Sequence, residues 1–171
     1  MATVELVRYG IVWGSIFGAA FCGAILLLGR LNAEILLNDY PPDIRAKYGP
    51  MSARSRQQAK WASLALVVLL GSIIVWALLQ LRQASGGLTL VDTFVVTLLI
   101  FQCWNLLDLV LLDWFILLTL RPRFMILPGT DDMAGYHDYR YHLRKFGSGI
   151  ILMLLLSGVI TILALGLEAL I

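Results

Sequence analysis

Hydrophobic residues fall into four long blocks that are separated by polar segments. The blocks cover about 9–29, 61–81, 90–120 and 148–170. Each block is at least as long as the ~20 residues that a helix needs to cross the hydrocarbon core of a bilayer. The pattern predicts an all-α fold: a polytopic membrane protein with four transmembrane helices and cytoplasmic amphipathic segments, forming a single integral domain over residues 1–171.

Composition supports this class of protein. Hydrophobic residues make up 60% of the chain and charged residues only 14%, whereas a soluble domain averages about 25% charged residues. The two cysteines, Cys22 and Cys103, both fall inside predicted spans, where packing is their expected use. An ordinary soluble fold is excluded by this composition.

The distribution of basic residues predicts the orientation. Eleven of the thirteen Lys and Arg residues lie in the segments 30–60 and 121–147, and only Arg8 and Arg82 lie elsewhere. The positive-inside rule therefore predicts that both segments are cytoplasmic and that both termini are outside, in the cell inner membrane. A nucleic-acid partner is not predicted, because these charges flank membrane spans.

Some of these basic side chains are candidates for contact with the phosphates of membrane lipids, although a role in topology alone explains them equally well. The candidates are Arg54, Arg56, Lys60, Arg140, Arg144 and Lys145. The last three lie beside an apolar and aromatic face over 133–146, which predicts an amphipathic helix in the membrane interface. Gly147 and Gly149 are expected to bend the chain from this helix into the fourth span.

Small residues repeat along one side of the first span. Gly10, Gly14 and Gly18 recur every four residues, and in lipid such a row allows two helix backbones to approach closely. The row predicts either a homodimer through span one or packing against another span of the same chain.

Polar residues interrupt the third span. At ~100° per residue, Gln102, Asn105 and Asp108 follow one slanting stripe, and Asp113 lies near the azimuth of Gln102. Helical rise places Asp108 ~20 Å and Asp113 ~12 Å before the end of the span. The polar side must face protein or water, and we expect this 31-residue block to tilt or to project from the bilayer.

An ionisable residue inside a span marks a candidate site. Gln102, Asn105, Asp108 and Asp113 are therefore predicted to line a ligand or ion pocket centred on Asp108. The structural alternatives are that a cytoplasmic Arg, His or Tyr binds Asp113, and that a neutral Asp108 bonds Asn105 or a facing span.

Catalytic and metal-binding motifs do not emerge from the sequence. His137 and His142 diverge by ~140° on a helix, and although Asp138 and His142 share a face, two ligands are too few for a closed metal site. Acids such as Asp39 lie on the same side of the membrane, but no spacing fixes their geometry. No metal or other cofactor is predicted, and whether the protein is an enzyme stays open.

Three segments, LNDYPPDIRAKYGPMS, WNLLDLVLLDWF and RPRFMILPGT, together resemble a family of small uncharacterised bacterial four-helix integral membrane proteins. That resemblance implies one integral domain and no particular activity. A fainter resemblance is to the four-helix sterol-isomerase and sigma-2-receptor group, which has a similar length and buries acids among its spans. Here the first two spans lack such acids, and no histidine lies inside a span.

The favoured hypothesis is a protein that binds a lipid-like ligand, an ion or a partner helix at the pocket around Asp108. One alternative is a small enzyme that acts on a lipid at the cytoplasmic face. Its acid or base would be Asp108 or Asp113, helped by His137 or His142. The other alternative is a subunit or assembly factor of a membrane complex that uses the glycines of span one.

Overall fold

A computed structural model describes residues 2–170, and these residues form helices and no strand. The α-helices are α1 (Thr3–Asn32), α2 (Pro42–Tyr48), α3 (Ala53–Ser85), α4 (Leu90–Leu107) and α5 (Tyr139–Glu168). Helix α4 continues as a π-helix, Asp108–Leu120, called the π-segment below. Short 3-10 helices cover Ala33–Asp39, Arg123–Met125 and Ala134–His137.

Four helical stretches are long and apolar enough to cross a membrane: Thr3–Asp39, Ala53–Ser85, Leu90–Leu120 and Tyr139–Glu168. The predicted all-α class with four candidate spans is therefore confirmed. We call the end of the bundle that carries the segments 33–52 and 121–138 the loop end, and the opposite end the hairpin end.

A tight turn joins α3 to α4 at the hairpin end. Gly86 closes α3 in the left-handed conformation, with φ 74°, and the hydroxyl of Thr89 caps α4 by accepting from the backbone N–H of Asp92. Close by, Arg82 of α3 forms a 2.6 Å ion pair with Glu168 of α5. The hairpin end is therefore held together by short polar contacts.

The glycine row of α1 packs against α4. Gly10, Gly14 and Gly18 are buried, and a Cβ added at Gly14 would lie 2.6 Å from the Cβ of Cys103 and 3.0 Å from the Cα of Ile100. The intramolecular alternative is thus the one realised within this chain. A homodimer built on these glycines would require α1 and α4 to separate.

Buried hydroxyl groups lie between α4 and α5. The hydroxyls of Thr97 and Thr161 are 3.5 Å apart, and Ser157 is fully buried beside them. All three hydroxyls donate to carbonyls four residues earlier in their own helix. Small polar residues of this kind allow close packing of membrane helices.

Helix α3 scarcely contacts α5 towards the loop end, although its first turns are bonded to the end of α1 and the segment that follows: Asn32 donates to Ser55 and Gln58, and Ser55 donates to Glu34. Apart from Ser55 in its first turn, its buried residues lie in the half nearest the hairpin end and are Leu70, Ile74, Ala77, Leu78 and Leu81, whereas no residue from 56 to 69 is buried. Helix α3 packs on α1, and α4 packs on α1 and α5, but α3 and α5 scarcely approach each other. The bundle is therefore open on one side at the loop end.

A second apolar core covers the loop end, and we call it the cap. It is formed by Leu36, Leu37, Tyr40, Ile44, Met125, Leu127 and Tyr136. The hydroxyl of Tyr40 donates to the carbonyl of Met125 at 2.6 Å, and Asp43 accepts from the backbone N–H of Gly135 at 2.8 Å. These bonds join two segments that are far apart in sequence.

The predicted interfacial helix over 133–146 and its glycine bend are wrong. Asp138 caps α5 by accepting from the N–H of Tyr141 at 2.9 Å, and α5 then runs unbroken to Glu168. A Cβ at Gly149 would lie 2.5 Å from Oδ1 of Asn105. Glycine is therefore needed there to make room for a neighbouring helix, and not to bend the chain.

The π-segment changes the geometry of the third span. Its last turn is closed by bonds over five residues, from the N–H of Arg121 to the carbonyl of Ile116 and from the hydroxyl of Thr119 to the carbonyl of Trp114. A helix with such bonds is wider than an α-helix and rises less per residue. Part of the excess length that predicted a tilt or a projection is taken up in this way.

Candidate ligand-binding cavity

A cavity of about 350 Å³ lies at the loop end, between α1, α3, the π-segment and α5, beneath the cap. Phe21 and Ile25 of α1 and Ala62 and Leu66 of α3 contribute apolar walls. The charged and amide side chains that line it are Asp39, Asn105, Asp108, Asp113, Arg121, His142 and Lys145. One cavity thus combines an apolar wall with charges of both signs.

The π-segment brings Asp108 and Asp113 to the same cavity. On an α-helix, residues five apart would diverge by ~140°, so an α-helical wheel places Asp113 away from Asp108 and near Gln102. Hydrogen bonding over five residues instead puts the two carboxylates nearly one above the other. The predicted azimuth of Asp113 is wrong for this reason, and the depths calculated with α-helical rise are too large.

Asp113 is paired with a histidine of α5. Nδ1 of His142 lies 2.8 Å from Oδ2 of Asp113, and the side chains are only 6% and 15% exposed. A hydrogen on Nδ1 would not point at Oδ2 of Asp113, so Nδ1 has no hydrogen-bond partner of good geometry within residues 2–170. We regard the contact as a close polar pair, because the 2.8 Å separation is short whichever tautomer is present. It is the kind of contact that the structural interpretation of Asp113 predicted.

The other ring nitrogen of His142, Nε2, is not fully enclosed by the protein. Within residues 2–170, Nε2 makes no hydrogen bond, and it is not among the enclosed polar atoms that lack a partner. His142 itself is only 5% exposed and lines the cavity. A ligand in the cavity could therefore reach Nε2 while Asp113 remains beside Nδ1.

Asp108 has no partner among the residues that the structure describes. Within the described part of the chain, its carboxylate forms neither a hydrogen bond nor an ion pair, although it lines the cavity. The expected bond from Asn105 is not made, because the amide of Asn105 donates to the carbonyl of Phe146 at 3.2 Å. Asp108 is therefore the carboxylate that is free to meet a ligand.

Lys145 and Asp39 form a loose pair at the edge of the cavity. Nζ and Oδ1 are 3.9 Å apart, and the side chains are 48% and 72% exposed. Lys145 also lies over the ring of Tyr141, 5.5 Å from its centroid. From the sequence, Lys145 is expected at lipid headgroups, and no specific place is expected for Asp39. Only the fold brings the two residues together, and no local pattern could have revealed the pair.

Two predicted site residues lie outside the cavity lining. The amide of Gln102 donates to the carbonyl of Ile150 at 3.1 Å and so joins α4 to α5. Nε2 of His137 lies 2.7 Å from a guanidinium nitrogen of Arg121 on the exposed side of the cap. Asn105, Asp108 and Asp113 line the cavity, whereas Gln102 does not. That the three residues bind a ligand or an ion stays a prediction.

The other predicted headgroup residues stay on the surface of the loop end. Arg54, Arg56 and Lys60 are exposed in the first turns of α3, and Arg140 and Arg144 are exposed in the first turns of α5. Their contact with lipid remains a prediction.

No group of three or more His, Cys, Asp or Glu residues within 2–170 is placed to hold a metal ion.

Comparison with known proteins gives no assignment: no protein-family model, no curated protein and no solved structure matches the chain.

Proposed function

We propose that this protein is a multi-pass protein of the cell inner membrane that binds a lipid-like amphiphile in the cavity around Asp108. Its loop end, with segments 30–60 and 121–147, faces the cytoplasm, and both termini face outside. The excess of basic residues in these two segments supports the orientation.

The observation that carries the proposal is the free carboxylate of Asp108 in a cavity that also has apolar walls. A volume of about 350 Å³ falls within the range of ~300–1,000 Å³ that is usual for small-molecule sites. An ion alone would leave the apolar walls unused. An amphiphile satisfies both parts of the cavity.

The open side of the bundle supports access from the bilayer. Helices α3 and α5 scarcely approach each other at this level, and Ala62 and Ser63 line the cavity from α3. A molecule dissolved in the membrane can therefore enter between α3 and α5 without unfolding the cap.

A bulky side chain on the cavity wall tests the proposal. Ala62→Trp should fill the space beside α3, whereas Ala65→Trp projects from the exposed face of the same helix. Native mass spectrometry of the full chain, released from nanodiscs of bacterial polar lipids, should show lipid bound to the wild type and to Ala65→Trp. Equal lipid retention by Ala62→Trp, or none by the wild type, would contradict the proposal.

A second function, an enzyme acting on a lipid, is favoured by the Asp113–His142 pair. An imidazole whose Nδ1 lies beside a carboxylate and whose Nε2 is open can act as a general base, and Asp108 lines the same cavity. The test is turnover of membrane lipids by the purified protein, followed by lipid mass spectrometry. His142→Ala should abolish turnover and His137→Ala should not. Absence of turnover by the wild type would reject this alternative.

A further inference from the structure

The charges around the cavity point to one class of amphiphile. We infer that the ligand is a phospholipid with a zwitterionic headgroup, whose ammonium group meets Asp108 and whose phosphate meets Lys145. This inference rests on the proposed lipid-binding function and adds the chemistry of the headgroup.

Three carboxylates line the cavity, and only one of them lacks a nearby cationic or imidazole group within residues 2–170. Asp113 is paired with His142, and Asp39 is near Lys145, whereas Asp108 has no partner within residues 2–170. A carboxylate in this setting is stabilised by a hydrogen-bond donor that carries positive charge. The primary ammonium of a lipid headgroup supplies both the charge and the donors.

Lys145 supplies a positive charge that a lipid phosphate can reach. Its separation of 3.9 Å from Asp39, together with the exposure of both side chains, makes the pair weak. A phosphate can therefore take the place of Asp39 at little cost. Arg121 also lines the cavity, and its guanidinium, which contacts His137, provides a second cation on the same side of the protein.

Other headgroups match the cavity less well. A headgroup that carries only a phosphate would leave Asp108 unpaired in a partly buried site, and one that carries only an ammonium would not use Lys145. A neutral lipid would use neither group. Charge complementarity across the whole cavity therefore selects a headgroup that carries both signs.

The route of the acyl chains follows from the open side of the bundle. The headgroup occupies the end of the cavity lined by Asp108 and Lys145, and the chains leave past Ala62 and Leu66, between α3 and α5, into the bilayer. The cavity then needs to enclose only the headgroup and the first part of the chains.

The test compares lipids that share their acyl chains and differ in their headgroups. The full-length protein in detergent is titrated with phosphatidylethanolamine, phosphatidylglycerol or diacylglycerol, and native mass spectrometry gives the bound fraction. We expect the wild type to bind phosphatidylethanolamine about tenfold more tightly than phosphatidylglycerol. Asp108→Asn should bring this ratio close to one, and Asp108→Glu should preserve a preference. Lys145→Gln should weaken both phospholipids about tenfold.

Two control variants change exposed charges away from the cavity. Asp132→Asn and Arg8→Gln should leave the ratio and both affinities unchanged, and melting temperatures establish that every variant is folded. Equal binding of the two phospholipids by the wild type, or an unchanged ratio in Asp108→Asn, would overturn the inference. Binding of all three lipids with one affinity would overturn the inference about the headgroup but not the proposed lipid-binding function. Binding of none of them above the level of Ala62→Trp would overturn the proposed function as well.

Discussion

His142 and Asp113 form a close polar pair that joins the start of α5 to the π-segment, with Nδ1 and Oδ2 2.8 Å apart. The pair is nearly buried, so water does little to screen it. It also fixes which ring nitrogen of His142 faces the cavity. The pair therefore serves both the stability of the loop end and the shape of the candidate site.

Removing either partner should destabilise the protein. Asp113→Asn and His142→Gln should each lower the free energy of unfolding by about 1–3 kcal/mol, because each leaves the other polar group buried without its partner. The double variant should cost less than the sum of the single variants. Equilibrium unfolding in detergent micelles, evaluated as a double-mutant cycle, measures this coupling. Strictly additive losses would show that the two residues do not interact.

The packing of α1 predicts that substitutions at two of its glycines differ sharply in their effect on stability. A side chain at Gly14 would collide with the Cβ of Cys103 and the backbone of Ile100, whereas nothing lies within 4 Å of a Cβ at Gly23. Gly14→Leu should therefore cost about 3 kcal/mol or more by forcing α1 away from α4.

Gly23→Leu is the matched control on the same helix, and its melting temperature in detergent should stay near that of the wild type. Thermal unfolding of both variants gives the comparison. A wild-type melting temperature for Gly14→Leu would mean that α1 and α4 do not pack as described.

The four candidate spans and the polar character of the third span could be predicted because they depend on local pattern alone. Apolar blocks longer than ~20 residues indicate crossing helices whatever their neighbours are. The side of Asp113 could not be predicted, because a helical wheel assumes ~100° per residue and cannot register a change to bonding over five residues. The partners of Lys145 and Gly149 could not be predicted either, since each contacts a residue that is distant in sequence.

The environment of Tyr40 predicts that the stability of the protein falls at alkaline pH. Burial, reinforced by the nearby Tyr136 and Asp39, raises the pKa of the Tyr40 phenol, and its hydroxyl donates to the carbonyl of Met125. A raised pKa in the folded state means that the unfolded chain loses this proton first. The stabilisation from Tyr40 is therefore complete below about pH 10, the ordinary value for tyrosine, and is lost as the pH rises above it.

Tyr40→Phe should accordingly cost about 1 kcal/mol near neutral pH, and it should flatten the decline in stability as the pH rises above about 10. Melting temperatures of both proteins over this rise in pH give the two slopes. A decline of equal steepness in Tyr40→Phe would show that this phenol does not control alkaline stability.

The π-segment can be tested by cross-linking within one helix. In a background with Cys22 and Cys103 replaced by Ala, the pair Asp108→Cys and Asp113→Cys should be bridged by a short bifunctional thiol reagent, since bonding over five residues stacks these positions. The pair Asp108→Cys and Leu111→Cys is the control, because Leu111 is 38% exposed and does not line the cavity. If the segment were an α-helix, the control pair would be cross-linked more efficiently than the pair at 108 and 113, since residues three apart are then neighbours and residues five apart are not. Peptide mass spectrometry distinguishes a bridge from two separate adducts, and a higher yield for the control pair would reject the π-helical geometry on which the joint position of Asp108 and Asp113 depends.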